Sequence, residues 1–397
     1  MRRCGIVSLL GVILCFLLGF SATKKQVSFA STNEFISEEE ISQSIDKQLG
    51  DLDFSELDKI IAGFSDSEKL FFQDSNFIDK ISKLLSGDFE EQESIFVSIV
   101  TILFDQLLQI LPFVSIIVAI SLIGDIVQGL KPSSNKSISN IIHFLSYGVV
   151  VSLVLVIIVK MISVATSTIT ALQTQMNGIF PILLTLLTAV GGTTSVSLYQ
   201  PAMALLANTI LNLFNYLLLP IFIFSVVFSI ISNLSNTVKL DKFSSFFNSC
   251  FKWIVGLVFT IFTAFVSLQG ITAGTIDGIS IRTAKYAIRS YVPLIGGYIG
   301  DGMGLILASS SLIKNAVGVG GLLMTGAAIL SPLIQMILFM LALKLIAAIV
   351  QPLGNKQVAN LLGSLSKNMV LLIVLLVGVA FVYFILLGLV MCSANVF

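Results

Sequence analysis

Seven ionisable side chains lie inside apolar stretches of this 397-residue chain: Asp105, Asp125, Lys160, Asp277, Asp301, Lys314 and Lys344. A charge held in an apolar medium is costly, so each is a candidate for an ion or substrate path. Asp125 and Lys160 sit at the ends of apolar runs, where a side chain can reach the interface. Asp301 and Lys314 share one glycine-rich segment with Asn315, and either line a polar conduit or neutralise each other. Gly296, Gly300 and Gly304 place a small residue at every fourth position, a pattern that permits close helix approach or a hinge. Other chemistry is poorly supplied. There is one histidine, His143, and the four cysteines (Cys4, Cys15, Cys250, Cys392) have neither ligand spacing nor a disulfide framework. No GxxxxGK[ST] loop, nucleophile elbow or HExxH occurs. The expectation is a non-enzyme with no cofactor or metal, in which any ATP consumption belongs to another subunit.

The elements that would position these residues are apolar helices. Hydrophobic residues make up 56% of the chain and charged ones 11%, against about 25% charged in a soluble domain. No charged side chain occurs from Met161 to Val238, which a bilayer tolerates and water does not. A net charge of zero hides an asymmetry: residues 31–94 carry 17 acidic side chains and 5 Lys, whereas the remainder to the C-terminus carries 13 Lys/Arg and 5 Asp. Arg2 and Arg3 before the apolar run Gly5–Phe20, with Ser28-Phe29-Ala30 beyond it, read as a signal peptide over 1–30, cleaved before Ser31 or kept as an anchor. Residues 31–94 then form an acidic extracytoplasmic segment. Ile41, Ile45, Leu49 and Leu52, and later Leu57, Ile60, Ile61 and Phe64, recur at amphipathic-helix spacing. That segment is either a docking module for a partner or a spacer. Residues 95–397 form the polytopic transmembrane domain.

Within that domain a unit recurs three times: a proline-led apolar helix, a short Lys-bearing link and a second apolar helix. Pro112, Pro220 and Pro332 lead, 108 and 112 residues apart. The links are Lys131–Lys136, Lys239–Lys242 and Gly354–Lys356, followed by helices over about 141–162, 253–272 and 369–391. Between the hairpins stand two Gly/Pro-interrupted elements: Pro181 with Gly191 and Gly192, and Pro293 with Gly296 and Gly297, the prolines again 112 apart. Matching interrupted segments in corresponding repeats point to a substrate path in transporter-like proteins, or are kinked spans that merely pack. The fold expected is an all-α polytopic membrane helical bundle with internal repeats of about 112 residues, comprising about six spanning helices plus two broken or re-entrant elements. Lys239, Lys242, Lys252, Lys356 and Lys367 then join the first link on the cytoplasmic side. Arg282, Lys285 and Arg289 fall on the other side, which requires an interfacial helix that lets them snorkel.

At Arg289–Tyr298 (RSYVPLIGGY) and Ser310–Gly318 (SSLIKNAVG) the chain resembles the stage III sporulation protein AE family. The likeness covers roughly residues 95–390; the acidic segment matches in character only. The resemblance implies a multi-pass subunit of a secretion-like channel between mother cell and forespore, required for sporulation. It implies a location in the mother-cell membrane facing the forespore. As partners it implies the other subunits of the spoIIIA-encoded complex, including an ATPase and ring proteins, besides the lipid bilayer; no nucleic acid is expected. It assigns no catalytic residues. The competing reading from the repeats and interrupted segments alone is a self-sufficient secondary transporter with its site in the broken helices.

Overall fold

The computed structural model describes residues 38–50, 52–64, 69, 77–86, 92–129, 136–234, 240–291, 296–353 and 356–393. The signal-like segment 1–30, residues 131–135 and Lys239 of the first two links, Gly354–Asn355 and Pro293 lie outside them. By contact the chain divides into Met1–Ser42 and Gln43–Phe397, and of the first unit only the opening of one helix is described.

All regular structure among the described residues is helical. Three short helices come first, α1 (Glu38–Gly50), α2 (Ser55–Ala62) and α3 (Phe77–Ser86). Then follow α4 (Gln92–Gly129), α5 (Lys136–Ala189), α6 (Thr193–Leu213), α7 (Leu219–Leu234), α8 (Asp241–Tyr291), α9 (Gly296–Val350) and α10 (Lys356–Cys392). A π-turn at Phe214–Leu218 joins α6 to α7, and Leu219 N–H bonds back to the Phe214 carbonyl. The widened turn stands immediately before Pro220, which has no N–H to give and whose ring would strike a carbonyl in a tight α-turn. Six helices are long and apolar enough to cross a membrane, and the chain is a multi-pass membrane bundle.

Length decides the architecture. Helices α5, α8 and α9 have 54, 51 and 55 residues, or about 81, 76 and 82 Å at 1.5 Å per residue. A bilayer is about 30 Å thick in its hydrocarbon and about 45 Å with headgroups. Even a 40° tilt leaves α5 about 62 Å tall, so part of each long helix stands clear of the lipid. The exposed side chains show which part. Along α5 they are mostly apolar to begin with (Ile141, Phe144, Leu145, Val149, Leu155, Val156 and Val159, with Ser152 and Lys160), then mostly polar: Ser163, Ser167, Thr170, Thr174, Asn177, Thr185 and Thr188, with Ala171, Pro181 and Ala189. Along α8 the large ones up to Leu268 are Phe243, Phe246, Trp253, Leu257, Ile261 and Leu268, with Lys242, Ser245, Ser249, Lys252, Thr260, Thr263 and Ser267 exposed among them; beyond come Ser280, Arg282, Thr283, Tyr286 and Ser290 beside Ile279. The lipid-facing belt therefore occupies the end near the Lys links, and a polar-surfaced head rises from the opposite end.

The sequence led us to expect separate elements where the structure has continuous ones. The expected helix 141–162 and the interrupted element at Pro181 are one helix, α5. Pro181 leaves it unbroken because its ring sits on the exposed face, while Met176, Ile179, Phe180, Leu183, Leu186 and Leu187 stay buried without a slip in phase. Likewise 253–272 and Arg282 belong to one helix, α8, so no separate interfacial helix carries that arginine. The glycine-rich stretch from Gly296 and the third leading proline, Pro332, both lie in α9.

Helix α10 forms the centre, packed on α9, α7, α5 and α8, with Leu362, Met369, Leu372, Leu376, Leu386 and Val390 buried. Inside the belt a polar ring ties three helices together. The Ser225 hydroxyl donates to Asn248 Oδ1 (3.0 Å), Asn248 Nδ2 to Asn368 Oδ1 (2.9 Å), and Ser244 Oγ to the Ser225 carbonyl (3.1 Å). Such bonds hold helices together where lipid gives no hydrophobic drive between them.

Candidate functional site

The polar chemistry of the head starts at a turn. Val190–Gly192 reverses the chain between α5 and α6 with Gly191 at φ 89°, a conformation that costs other L-residues about 1–2 kcal/mol. Gly192 N–H bonds the Leu187 carbonyl (2.8 Å) and Gly191 N–H the Thr188 carbonyl (2.9 Å), the paired bonds of a Schellman C-cap. The break expected at Pro181, Gly191 and Gly192 is thus the two glycines alone, at the end of a helix that outreaches the bilayer.

Helix α6 then begins with orphan N–H groups, and a carboxylate from another helix takes two of them. Asp277 of α8 is fully buried and accepts Thr194 N–H and Ser195 N–H, each at 3.0 Å, together with the Ser195 hydroxyl. At the end of α10 the arrangement has the opposite sign. Lys314 of α9, also fully buried, donates its Nζ–H to the Ser393 carbonyl. Ser393 closes the last turn through its N–H to the Leu389 carbonyl (3.1 Å), and its hydroxyl is hydrogen-bonded to the Tyr199 hydroxyl (2.9 Å). A negative charge at a helix N-terminus and a positive one at a C-terminus both meet favourable dipole ends. Four helices, α6, α8, α9 and α10, are fastened in this way at one level of the head.

The second feature is the docking of the N-terminal helices. Gln48 lies against two consecutive serines of α9: its Nε2 donates to Ser309 Oγ and Ser310 Oγ donates to its Oε1, both at 2.7 Å. Leu57 sits over Gly178 of α5, where an added Cβ would lie 2.9 Å from Leu57 Cδ2. Phe77 sits over Gly320 of α9, where an added Cβ would lie 3.0 Å from its ring. Leu49, Phe54, Leu57, Ile61, Phe77 and Ile81 are buried in the same core as the long helices. Asp58 Oδ1 accepts Phe77 N–H (2.9 Å) and so joins α2 to α3. The described residues between 43 and 86 thus pack on helices of their own chain, through Gln48, Leu57 and Phe77.

Of the sequence candidates, Lys314 has a defined role at the end of α10, and Asn315 beside it leaves its Oδ1 without a partner among the described residues. Gly304 is partly exposed on α9. Gly296, Gly297, Gly300 and Asp301 are helical residues of α9 whose side-chain surroundings lie outside the described set, as do Pro293 and the side chains of Asp125 and His143. Close approach on α9 falls at Gly318, Gly320 and Gly321, against Met391, Phe77 and Ile179. Sequence reasoning missed Ser195, Tyr199, Ser393, Gln48, Ser309 and Ser310, since serines in an apolar helix carry no spacing signal. Asp277 it named without a partner. Among the described residues no three His, Cys, Asp or Glu side chains gather to hold a metal.

Comparison with known proteins places this architecture. No solved structure matches. The stage III sporulation protein AE of Bacillus subtilis (strain 168) is 28% identical over 260 residues, covering 66% of this chain and 65% of that protein, so the match spans just under two thirds of its length. The family model described as Stage III sporulation protein AE matches residues 75–394, from the eve of α3 to the end of α10. The chain belongs to the stage III sporulation protein AE family.

Proposed function

We propose that this sporulation protein is the membrane platform of a secretion-like channel between mother cell and forespore. It sits in the mother-cell membrane with its Lys links in the cytoplasm and its head, including the acidic segment, on the forespore side. The observation that carries this reading is the head itself. Three helices of 51–55 residues continue well past any bilayer and end in a polar-surfaced, internally fastened layer. A solute carrier has no need of such a layer, whereas a subunit that must meet ring proteins across a gap does. The chain has no phosphate-binding loop, in keeping with an ATPase partner at the Lys-link end. Asp277 and Lys314 are held by helix ends within the head, which weakens the rival reading of a secondary transporter with its charges at the bilayer midplane.

The test is site-specific photocrosslinking in sporulating cells. Probes at Thr174, Asn177 and Thr283 of the head are expected to capture ring subunits, and a probe at Lys356 the ATPase. Failure at both ends, together with solute uptake by the purified protein alone in liposomes, would overturn the platform in favour of the transporter.

A further inference from the structure

Arg282, Lys285 and Arg289 are the cluster that the topology leaves unexplained, because basic residues are disfavoured on the exported side of a membrane. The structure removes the explanation by snorkelling. Arg282 lies 41 residues along α8 from Asp241, about 62 Å up a continuous helix and still about 47 Å up at a 40° tilt, at or past the outer edge of the headgroups. Its side chain is exposed in a row with Ile279, Thr283, Tyr286 and Ser290, and it has no ion-pair partner among the described residues. No acidic residue occurs between Asp277 and Asp301. Arg282, Lys285 and Arg289 stand at i, i+3 and i+7 of one helix and so share a face, which carries basic charges only and suits an acidic surface.

We infer that this face of α8 binds the acidic N-terminal module of a second copy of the chain. Charge is the first argument: residues 31–94 carry 17 acidic side chains against 5 Lys, and Asp46, Asp53, Glu56 and Asp79 are exposed in or beside the docked helices, among the exposed Lys47, Lys59 and Lys83. Height is the second. Copies in one membrane approach only sideways, so partner surfaces must stand at equal distance from the bilayer. The module is fixed to Gly178, 42 residues up α5 from Lys136, and to Ser309, 41 residues up α9 from Val350. Both positions are about 62 Å from the Lys-link end, level with Arg282. Placement is the third. The module packs on α5 and α9, whereas α8 packs on α6, α7, α9 and α10, so acidic and basic surfaces are carried by different flanking helices. Contact between unlike surfaces is heterologous, and its repetition gives a ring or a row of copies. The inference is independent of what the assembly conducts.

Crosslinking between two tagged, full-length copies tests it. In a cysteine-free background one copy carries Ala62→Cys and the other Thr283→Cys, both at exposed positions, and membranes are treated with a bis-maleimide. A product bearing both tags is expected. Reversal of charge in the second copy (Arg282→Glu, Lys285→Glu, Arg289→Glu) should lower its yield about tenfold or more. Asp53→Lys with Glu56→Lys in the first copy should restore it, which also shows that the reversed chain is folded. Three results would overturn the inference: no product with both tags, a yield indifferent to charge reversal, or crosslinking confined to a single chain bearing both cysteines. Binding of the basic face to phosphatidylglycerol vesicles in place of a second copy would likewise overturn it.

Discussion

Phe77→Ala should release the whole N-terminal module from the head. Helices α1, α2 and α3 have 13, 8 and 10 residues, too short to persist alone in water, so folding and docking are one event. Phe77 is fully buried and seated on Gly320, and truncating such a side chain costs about 3–5 kcal/mol. The population of the undocked state then rises roughly 140- to 3,700-fold. Amide hydrogen exchange of the full chain in lipid nanodiscs reads this directly, because protection of a locally opening unit falls by the same factor. Residues 55–62, which do not contain the mutation, should lose protection together with 77–86, while 369–390 at the bundle centre keep theirs. Gly320→Val, which forces a side chain into the Phe77 ring, should produce the same pattern. Loss confined to 77–86 would refute docking as a unit, and unchanged protection at both helices would refute the packing argument altogether.

Other outcomes follow from the head's fastenings. Asp277→Asn keeps an acceptor for the N-terminus of α6 but loses the charge, and should cost about 1–3 kcal/mol; Asp277→Ala, which orphans two N–H groups, should cost about 3 kcal/mol or more. Thermal unfolding in detergent measures both, and full stability with lost sporulation would mean that the carboxylate serves transport rather than structure. Gly191→Val should destabilise by at least the about 1–2 kcal/mol of a left-handed residue, with Gly191→Asn milder in the same melts. Asp53 at the start of α2 is held below the usual carboxylate range by the Ser55 hydroxyl and then by the Ser55 N–H. Its contribution is therefore present above the ordinary carboxylate pKa and disappears as pH falls through the lowered one. Protection of 55–62, taken relative to the pH-dependent intrinsic exchange rate, should fall below about pH 4 in the parent, and Asp53→Asn should abolish that step; persistence of the step in the variant would assign it to another group.

The membrane and the number of spans were legible because hydropathy reports the solvent around a helix. Where helices end is a separate question, and there the sequence misled. Ser163, Thr166, Ser167, Thr170, Gln173, Thr174 and Asn177 interrupt the apolar run of α5 much as a loop or a re-entrant segment would. The clue was periodic: Ile169, Leu172, Met176, Ile179, Leu183, Leu186 and Val190 keep one apolar face through the polar stretch and past Pro181. A helix that changes solvent, from lipid to water, changes its exposed face and retains its buried one. Gly178 and Gly320 were illegible for another reason, since a notch has meaning only once the residue that fills it, Leu57 or Phe77, is known.

The buried charges repeat that lesson for the site. Asp301 and Lys314 were grouped because both lie in one glycine-rich segment; what the structure adds is that Lys314 meets the carboxyl end of α10 and Asp277 the amino end of α6. A helix terminus carries about half an elementary charge that a residue list does not display. Neutralisation by termini also has a mechanical consequence. An ion pair joins two side chains, whereas a charge on a helix end holds the axis of that helix in place. Asp277 and Lys314 therefore fix where α6 begins and where α10 stops, at the level where the N-terminal module docks. A head built in this way transmits displacement of the module to the ends of the helices in the membrane, so loss of either charge should weaken module docking as well as the bundle. Hydrogen exchange of residues 43–62 in Asp277→Asn is expected to accelerate along with that of 193–199. Acceleration of 193–199 alone would show that the two layers are mechanically independent.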